Sequence, residues 1–340
     1  MVKKYNVAVV GATGLVGQMM CRVLEERNFP VDHFYPMASA RSAGKEIEFA
    51  GKTYTVEETT PESFDKDIDL AIFSAGGGTS KKFAPEAAKR GVIVVDNSSC
   101  WRMDPDVPLV VPEVNPEDLK WHHNIIANPN CSTIQAMLPL KAVYDKYGIE
   151  RIVYSTYQAV SGAGVQGFRD LKDGVNGVPP KKFPYPIAYN ILPHIDDFLE
   201  NGYTKEEMKM VNETHKILHD DNIRITATTA RVPVFYGHSE SINVELKKPF
   251  ESVKELQDCM GSFQNVILRD DPEHNIYPMP IEAEGHDEVY VGRIRRDFSI
   301  DNGFNFWCVG DNIRKGAASN AIQIAESLVE QDLVHDQYQG

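Results

Sequence analysis

Residues 5–10 (Tyr-Asn-Val-Ala-Val-Val) form a nearly continuous apolar run. Gly11, Gly14 and Gly17 follow at three-residue intervals, and a helical pattern then extends to about Arg27. A short apolar run that passes through a glycine turn into a helix is how a strand buried on both faces hands over to its crossover helix. The same grammar recurs. Phe34–Ala38 reads as a second strand. Leu70–Ser74 reads as a third, ending in Gly76-Gly77-Gly78, with a helix to Arg90 and a strand at Val92–Val95 behind it. Alternating strands and helices with glycine at the strand ends predict an α/β domain, a doubly wound parallel sheet of Rossmann type, over residues 1–130.

The pattern changes at Cys131. Long strand-like runs appear at Ile149–Val160, Ile223–Val232, Ile242–Leu246, Val289–Ile294 and Phe304–Val309, with helices interspersed. This predicts a second domain over 131–311, of α+β type, with a mostly antiparallel sheet and helices on one face. Residues 174–194 are rich in proline and glycine and are expected to form an ordered loop. The amphipathic stretch from Asn312 to about Glu330 (Ile313, Ala317, Ala321, Ile324, Leu328) is expected to pack back on the first domain, so that 312–340 completes it.

A length of 340 residues suits two domains with full cores. The net charge of −14 argues against a nucleic-acid backbone as partner. The five cysteines are scattered, without metal-site spacing, as in a chain of the reducing cytoplasm. With a strand already under way in residues 1–10 and no apolar run approaching about 18 residues, neither a signal peptide nor a membrane span is expected.

Glycines in a strand–turn–helix junction let the backbone approach a pyrophosphate, which the helix N-terminus favours. Gly11, Thr13, Gly14, Leu15, Val16 and Gly17 are therefore candidate cofactor contacts, although a tight turn with close helix packing would need the same glycines. After the second strand an NAD enzyme usually carries an acid for the ribose hydroxyl. Here the segment is Ser39-Ala40-Arg41-Ser42, and a guanidinium flanked by hydroxyls suits a 2′-phosphate. The expected cofactor is NADP, against the alternative of a solvated surface arginine.

Asn128-Pro129-Asn130-Cys131-Ser132-Thr133 lies between an extended run (124–127) and a helical run (132–147). A cysteine at a helix N-terminus has its thiolate favoured, which makes it a nucleophile, and the N–H groups there can serve an oxyanion. Three further segments carry polar groups that an apolar core does not need. In Gln158-Ala159-Val160-Ser161-Gly162, Gln158 can orient a carbonyl, and Ser161 and Gly162 can admit a flat ring. In Arg231 to His238, the arginine can clamp a carboxylate and the histidine can act as base and acid. Glu213 and Lys216 share a helix face. Arg102 follows a strand end, where ligands gather in such sheets. Each has a bland alternative: a strand-end turn, a satisfied core histidine, a surface ion pair, a loop arginine.

Taken together, in this order and over essentially the whole chain, these segments and Gly310-Asp311-Asn312 resemble the aspartate-β-semialdehyde dehydrogenase family. The resemblance implies a fold like that of glyceraldehyde-3-phosphate dehydrogenase, with a C-terminal domain that is both catalytic and dimer-forming, and a homodimer or a dimer of dimers. It implies that Cys131 is the nucleophile, His238 the acid/base, and Gln158 the group that seats the thioester or substrate. Arg231 would bind the substrate carboxylate and Glu213 its amino group. Arg102, Asn130 and Lys216 would bind inorganic phosphate, and Asn312 would approach the nicotinamide. The implied reaction is the NADPH-dependent conversion of L-4-aspartyl phosphate to L-aspartate 4-semialdehyde and phosphate. It proceeds through a Cys131 thioester and leads toward lysine, threonine and methionine. N-Acetyl-γ-glutamyl-phosphate reductase shares this logic but has a different cysteine signature. The Ser-Cys-Thr-Thr-Asn type motif of glyceraldehyde-3-phosphate dehydrogenase is absent. A non-catalytic NADP sensor would require Cys131 and His238 to be incidental.

Overall fold

In the computed structural model, which describes residues 3–334, the chain divides into two compact units. One comprises the residues up to Pro129 together with those from Ala317 onward; the other runs from Asn130 to Gly316. Residues 1–2 and 335–340, which belong to the expected first strand and final helix, lie outside the described residues.

The first unit begins with β1 (Tyr5–Val10), α1 (Leu15–Glu26) and β2 (Val31–Ala38). A small antiparallel hairpin follows, β3 (Glu46–Phe49) and β4 (Lys52–Thr55), then the short β5 (Glu57–Glu58). Next come β6 (Leu70–Phe73), α2 (Gly77–Ala88), β7 (Ile93–Asp96) and β8 (Ile125–Ala127). The six-stranded sheet has the order β5-β2-β1-β6-β7-β8, and every pairing is parallel. Strand order therefore reverses beside β1, so Gly11 stands at the C-terminal edge where such sheets open a crevice. The core strands are buried on both faces, which explains why they read as unbroken apolar runs.

The second unit holds α3 (Cys131–Tyr147), β9 (Ile149–Gln158), α4 (Gly164–Gly174), α5 (Lys205–Leu218), β10 (Arg224–Arg231) and β11 (His238–Leu246). It continues through α6 (Val253–Gly261), β12 (Val266–Leu268), α7 (Pro280–Ala283), β13 (Val289–Asp297) and β14 (Gly303–Gly310). Its sheet runs β10-β9-β11-β14-β13-β12. The three central pairings are antiparallel, while β10–β9 and β12–β13 are parallel. Along β11 His238, Glu240, Ile242, Val244 and Leu246 are buried, the face on which α3 packs.

The last helix starts later than its periodicity suggests. A π-helical turn at Arg314–Ala318 precedes α8 (Ser319–Glu330). Ala321, Ile322, Ile324, Ala325 and Leu328 then join the core of the first unit with Val7, Val9, Met20 and Leu24. Residues 175–203 form no helix or strand. Backbone bonds between Leu192 and Arg231 fix this loop instead.

Candidate active site

In the second unit the site is built on the N-terminus of α3. Asn130 is its N-cap, in extended conformation, and its Oδ1 accepts from the N–H of Ser132 (3.0 Å) and of Thr133 (3.4 Å). Its own N–H donates to Glu213 Oε2 at 2.6 Å. Cys131, partly exposed, is the first helical residue, and its Sγ lies 3.2 Å from His238 Nε2. A β-carbon added to Gly316 would lie 3.0 Å from the Cys131 Cβ, so the π-helical turn packs closely against the cysteine. The Ser132 and Thr133 N–H groups are thus engaged by the cap.

His238 is fully buried, and its Nδ1 accepts from Ala159 N–H at 3.0 Å. A neutral ring with an accepting Nδ1 carries its proton on Nε2, the atom that faces sulfur. Burial, and then the Arg231 guanidinium, push its pKa down to about 3. Burial thus favours the neutral ring, with Nε2 facing the Cys131 sulfur, the atom through which the acid/base role read in the sequence would act. Its folded pKa lies below the ordinary value. The stability it contributes is therefore present above about pH 6.5 and is lost as pH falls toward about 3.

Arg231 ends β10 with its side chain buried. Its Nη1 donates to Ala159 O at 2.7 Å, while the buried Nε has no hydrogen-bond partner. A buried guanidinium with an open donor suits a carboxylate. Gly162 permits this crowding: a β-carbon there would lie 2.9 Å from Arg231 Nη1 and 3.3 Å from His238 Cε1. Its missing side chain is therefore explained by the arginine and histidine. The buried Ser161 bonds to Asn312, whose Oδ1 also accepts from Gly237 N–H (3.0 Å), tying the start of β11 to the end of β14.

The acidic partner differs from the one read in the sequence. Gln158 Nε2 donates to Glu206 Oε1 (3.2 Å) and Thr156 Oγ1 (3.3 Å), and Asn130 Nδ2 donates to Glu206 Oε1 (2.9 Å). Glu206 Oε2 pairs with Lys209 Nζ at 3.0 Å, and Lys209 also reaches Asp196 at 2.8 Å. Burial works against the Glu206 carboxylate, but Lys209, Asn130 and Arg231 outweigh it and hold its pKa below the usual range. Burial likewise opposes the Lys209 ammonium, which Glu206 and Asp196 hold above the usual lysine value. The pair that borders Gln158 and Arg231 is thus Glu206/Lys209. Glu213 binds the backbone of Asn130, and Lys216 lies two turns farther along α5 than Lys209, roughly 10 Å. The signal was present in the sequence: Glu-x-x-Lys occurs twice on α5, seven residues apart and so on nearly the same face.

The remaining candidates belong to the first unit. Arg102 is buried, with Nε on Asn128 O (2.9 Å) and Nη2 on Asn97 O (3.0 Å). Gly11 has φ +89°, and a β-carbon on Gly17 would come within 2.0 Å of Gly11 O, so the turn and α1 meet closely. Gly14 is the N-cap of α1, which has no side-chain cap and no acid in its first turn. Thr13 precedes it, and Leu15 and Val16 open the helix. An uncapped helix start behind a glycine cradle fits a pyrophosphate. Ser39, Arg41 and Ser42 occupy the turn after β2, with Arg41 exposed and Ser42 buried. Among the described residues no cluster could hold a metal ion, and no helix is long and apolar enough to cross a membrane.

Residues 6–122 match the family described as semialdehyde dehydrogenase, NAD binding domain, and residues 140–315 match semialdehyde dehydrogenase, dimerisation domain. The aspartate-semialdehyde dehydrogenase of Aquifex aeolicus is 58% identical over 339 residues, covering 97% of this chain and 99% of that one; that of Bacillus subtilis is 48% identical over 342 residues, with the same coverage. The crystal structure of aspartate semialdehyde dehydrogenase II from Vibrio cholerae, complexed with ASA, superposes with TM-score 0.92 at 48% identity, covering 97% of this chain and 99% of that one. A Candida albicans aspartate semialdehyde dehydrogenase with NADP superposes with TM-score 0.79 at 27% identity, covering 98% of this chain and all of that one.

The site predicts selective alkylation by iodoacetamide at neutral pH. Burial, aided by Glu25, raises the Cys21 thiol to about 12, and burial raises Cys100, Cys259 and Cys308. Peptide mapping of a time course should find Cys131 labelled first and inactivation tracking it; comparable labelling of a second cysteine would contradict this.

Proposed function

Since the chain belongs to the aspartate-semialdehyde dehydrogenase family, we propose that Cys131 and His238 carry out the family's chemistry with NADP as the nicotinamide cofactor. The single observation that carries this reading is the 3.2 Å approach of a neutral His238 Nε2 to the sulfur of a helix-terminal cysteine.

In the biosynthetic direction the Cys131 thiolate attacks the acyl carbon of L-4-aspartyl phosphate. The tetrahedral oxyanion collapses with loss of phosphate and leaves a thioester on Cys131. When bound, the reduced nicotinamide would supply the hydride that reduces this thioester. The resulting oxyanion expels the thiolate and releases L-aspartate 4-semialdehyde. His238 Nε2–H stabilises the thiolate and both oxyanions as a hydrogen-bond donor, and neither collapse needs net proton transfer from the ring. The one proton that the overall reaction consumes comes from solvent and ends on the released phosphate, which leaves as the hydrogen phosphate dianion.

Substrate is held by groups of opposite sign. Arg231, with its open Nε, takes the α-carboxylate, and Glu206 takes the ammonium in place of Glu213. Gln158, oriented by Glu206, seats the thioester. Asn130 and Lys209, the last in place of Lys216, serve phosphate, and Arg102 is the first unit's candidate phosphate ligand. Gly11, Thr13, Gly14, Leu15, Val16 and Gly17 cradle the cofactor pyrophosphate. Arg41, Ser39 and Ser42 meet its 2′-phosphate, and Ser161, Gly162 and Asn312 meet the nicotinamide. The assembly is a homodimer formed through the dimerisation domain, in a cytoplasmic setting.

Two measurements test these assignments. Lys209→Ala should raise the phosphate KM by roughly tenfold or more while Lys216→Ala leaves it nearly unchanged; the opposite ranking would restore Lys216. Arg41→Glu should weaken NADP far more than NAD, and equal weakening of both would remove the 2′-phosphate contact.

A further inference from the structure

The chain between α4 and α5 carries a device that the chemistry above does not use. Asp170, buried on α4, gathers three consecutive backbone N–H groups. Lys181 N–H donates to Oδ1 and Oδ2 (3.0 Å each), Lys182 N–H to Oδ2 (2.6 Å) and Phe183 N–H to Oδ2 (3.0 Å), while Gln166 Nε2 donates to Oδ1 at 3.0 Å. Successive N–H groups turned inward form a concave anion site, and here a carboxylate of the same chain fills it. Burial opposes the charge, but these bonds prevail and hold the carboxyl below its usual range. Pro179 and Pro180, just before this turn, have no N–H to divert and restrict its entry.

The residue delivered by the turn is Phe183. Its ring lies with the Arg231 guanidinium 6.0 Å from its centroid, within cation–π range. Room for the ring comes from Gly167, where a β-carbon would meet Phe183 Cζ at 3.2 Å and Val160 O at 2.6 Å. Farther along, Leu192 N–H donates to Arg231 O (2.9 Å) and Arg231 N–H to Leu192 O (2.8 Å). Leu192 also packs with Val160, Leu171 and Ile187 in a small core of its own, against which Phe183 rests. The loop therefore pins the backbone of Arg231 and flanks its guanidinium. Nη1 is committed to Ala159, and the buried Nε has no partner.

We propose that this loop is a specificity clamp: Asp170 positions Phe183 against Arg231 so that the guanidinium presents its open edge in one orientation to the substrate's α-carboxylate. The inference rests on the reading of Arg231 as the carboxylate site. Asp170 is a positioning residue and Phe183 a determinant of specificity; neither takes part in bond making.

The test compares L-aspartate semialdehyde with 3-aminopropanal, the same amino-aldehyde without the α-carboxylate. Phe183→Leu should raise the KM for L-aspartate semialdehyde roughly tenfold with kcat within about twofold, and leave the KM for 3-aminopropanal unchanged, so that selectivity falls by the same factor. Phe183→Tyr keeps the ring and should retain the original KM. Asp170→Asn should behave as Phe183→Leu; should it fail to fold, the Phe183 pair decides alone. An unchanged KM in Phe183→Leu, or equal losses on both substrates, overturns the clamp. Arg231→Lys separates the two readings. If it destroys selectivity while Phe183→Leu and Asp170→Asn do not, only the clamp fails. If it leaves selectivity intact, the carboxylate reading of Arg231 fails first.

Discussion

The start of α3 is the constraint on which the second unit's chemistry depends. A helix N-terminus leaves N–H groups that must find partners, and here one residue, Asn130, settles several at once. Its side chain caps Ser132 and Thr133, its amide nitrogen donates to Glu206, and its backbone N–H donates to Glu213. Two carboxylates from α5 are thereby fastened to the turn that carries Cys131. The position of the sulfur is set by a cap, and the cap is also the link between nucleophile and acidic wall.

Burial then decides what each polar group can do. His238 is enclosed and faced by Arg231, so it stays neutral, and the Ala159 N–H leaves its proton on Nε2. Glu206 is just as enclosed, yet it keeps its charge because Lys209 and Asn130 meet it directly. Glu240, two residues beyond His238 on β11, has Gln135 beside it but no cation, and burial pushes its carboxyl well above the usual range. The contrast between the two glutamates is one of partners, since both are inaccessible. A site with ionised Glu206, cationic Arg231 and a neutral histidine can hold a zwitterionic amino acid beside the Cys131 sulfur.

Much of the architecture was legible because its causes are local. A strand buried on both faces has to be apolar throughout, and β1, β6 and β7 are. The close meeting of Gly11 and Gly17 excludes side chains, and only glycine is found there. The cysteine at a helix start, and the arginine and histidine on either side of a Pro/Gly break, were visible for similar reasons. What escaped depended on distant partners. Two Glu-x-x-Lys pairs on α5 have equal local credentials, and only the arrival of the Gln158 and Asn130 side chains singles out Glu206. The three-residue β12 is too short to show a period and exists because β13 offers it an edge. The π-helical turn before α8 reflects Gly316 fitting against Cys131, a contact that spans most of the chain in sequence. Asp170 looks like any helix-surface acid until the loop folds onto it.

The central claim is that catalysis passes through a thioester on Cys131, which phosphate then resolves in the oxidative direction. A rapid-mixing measurement of NADPH absorbance tests it most directly, with enzyme, NADP and L-aspartate semialdehyde combined in the absence of phosphate. The account predicts a burst of about one NADPH per active site followed by near-arrest, and steady turnover once phosphate is added. Sustained turnover without phosphate, or a burst that persists in Cys131→Ala, would contradict it.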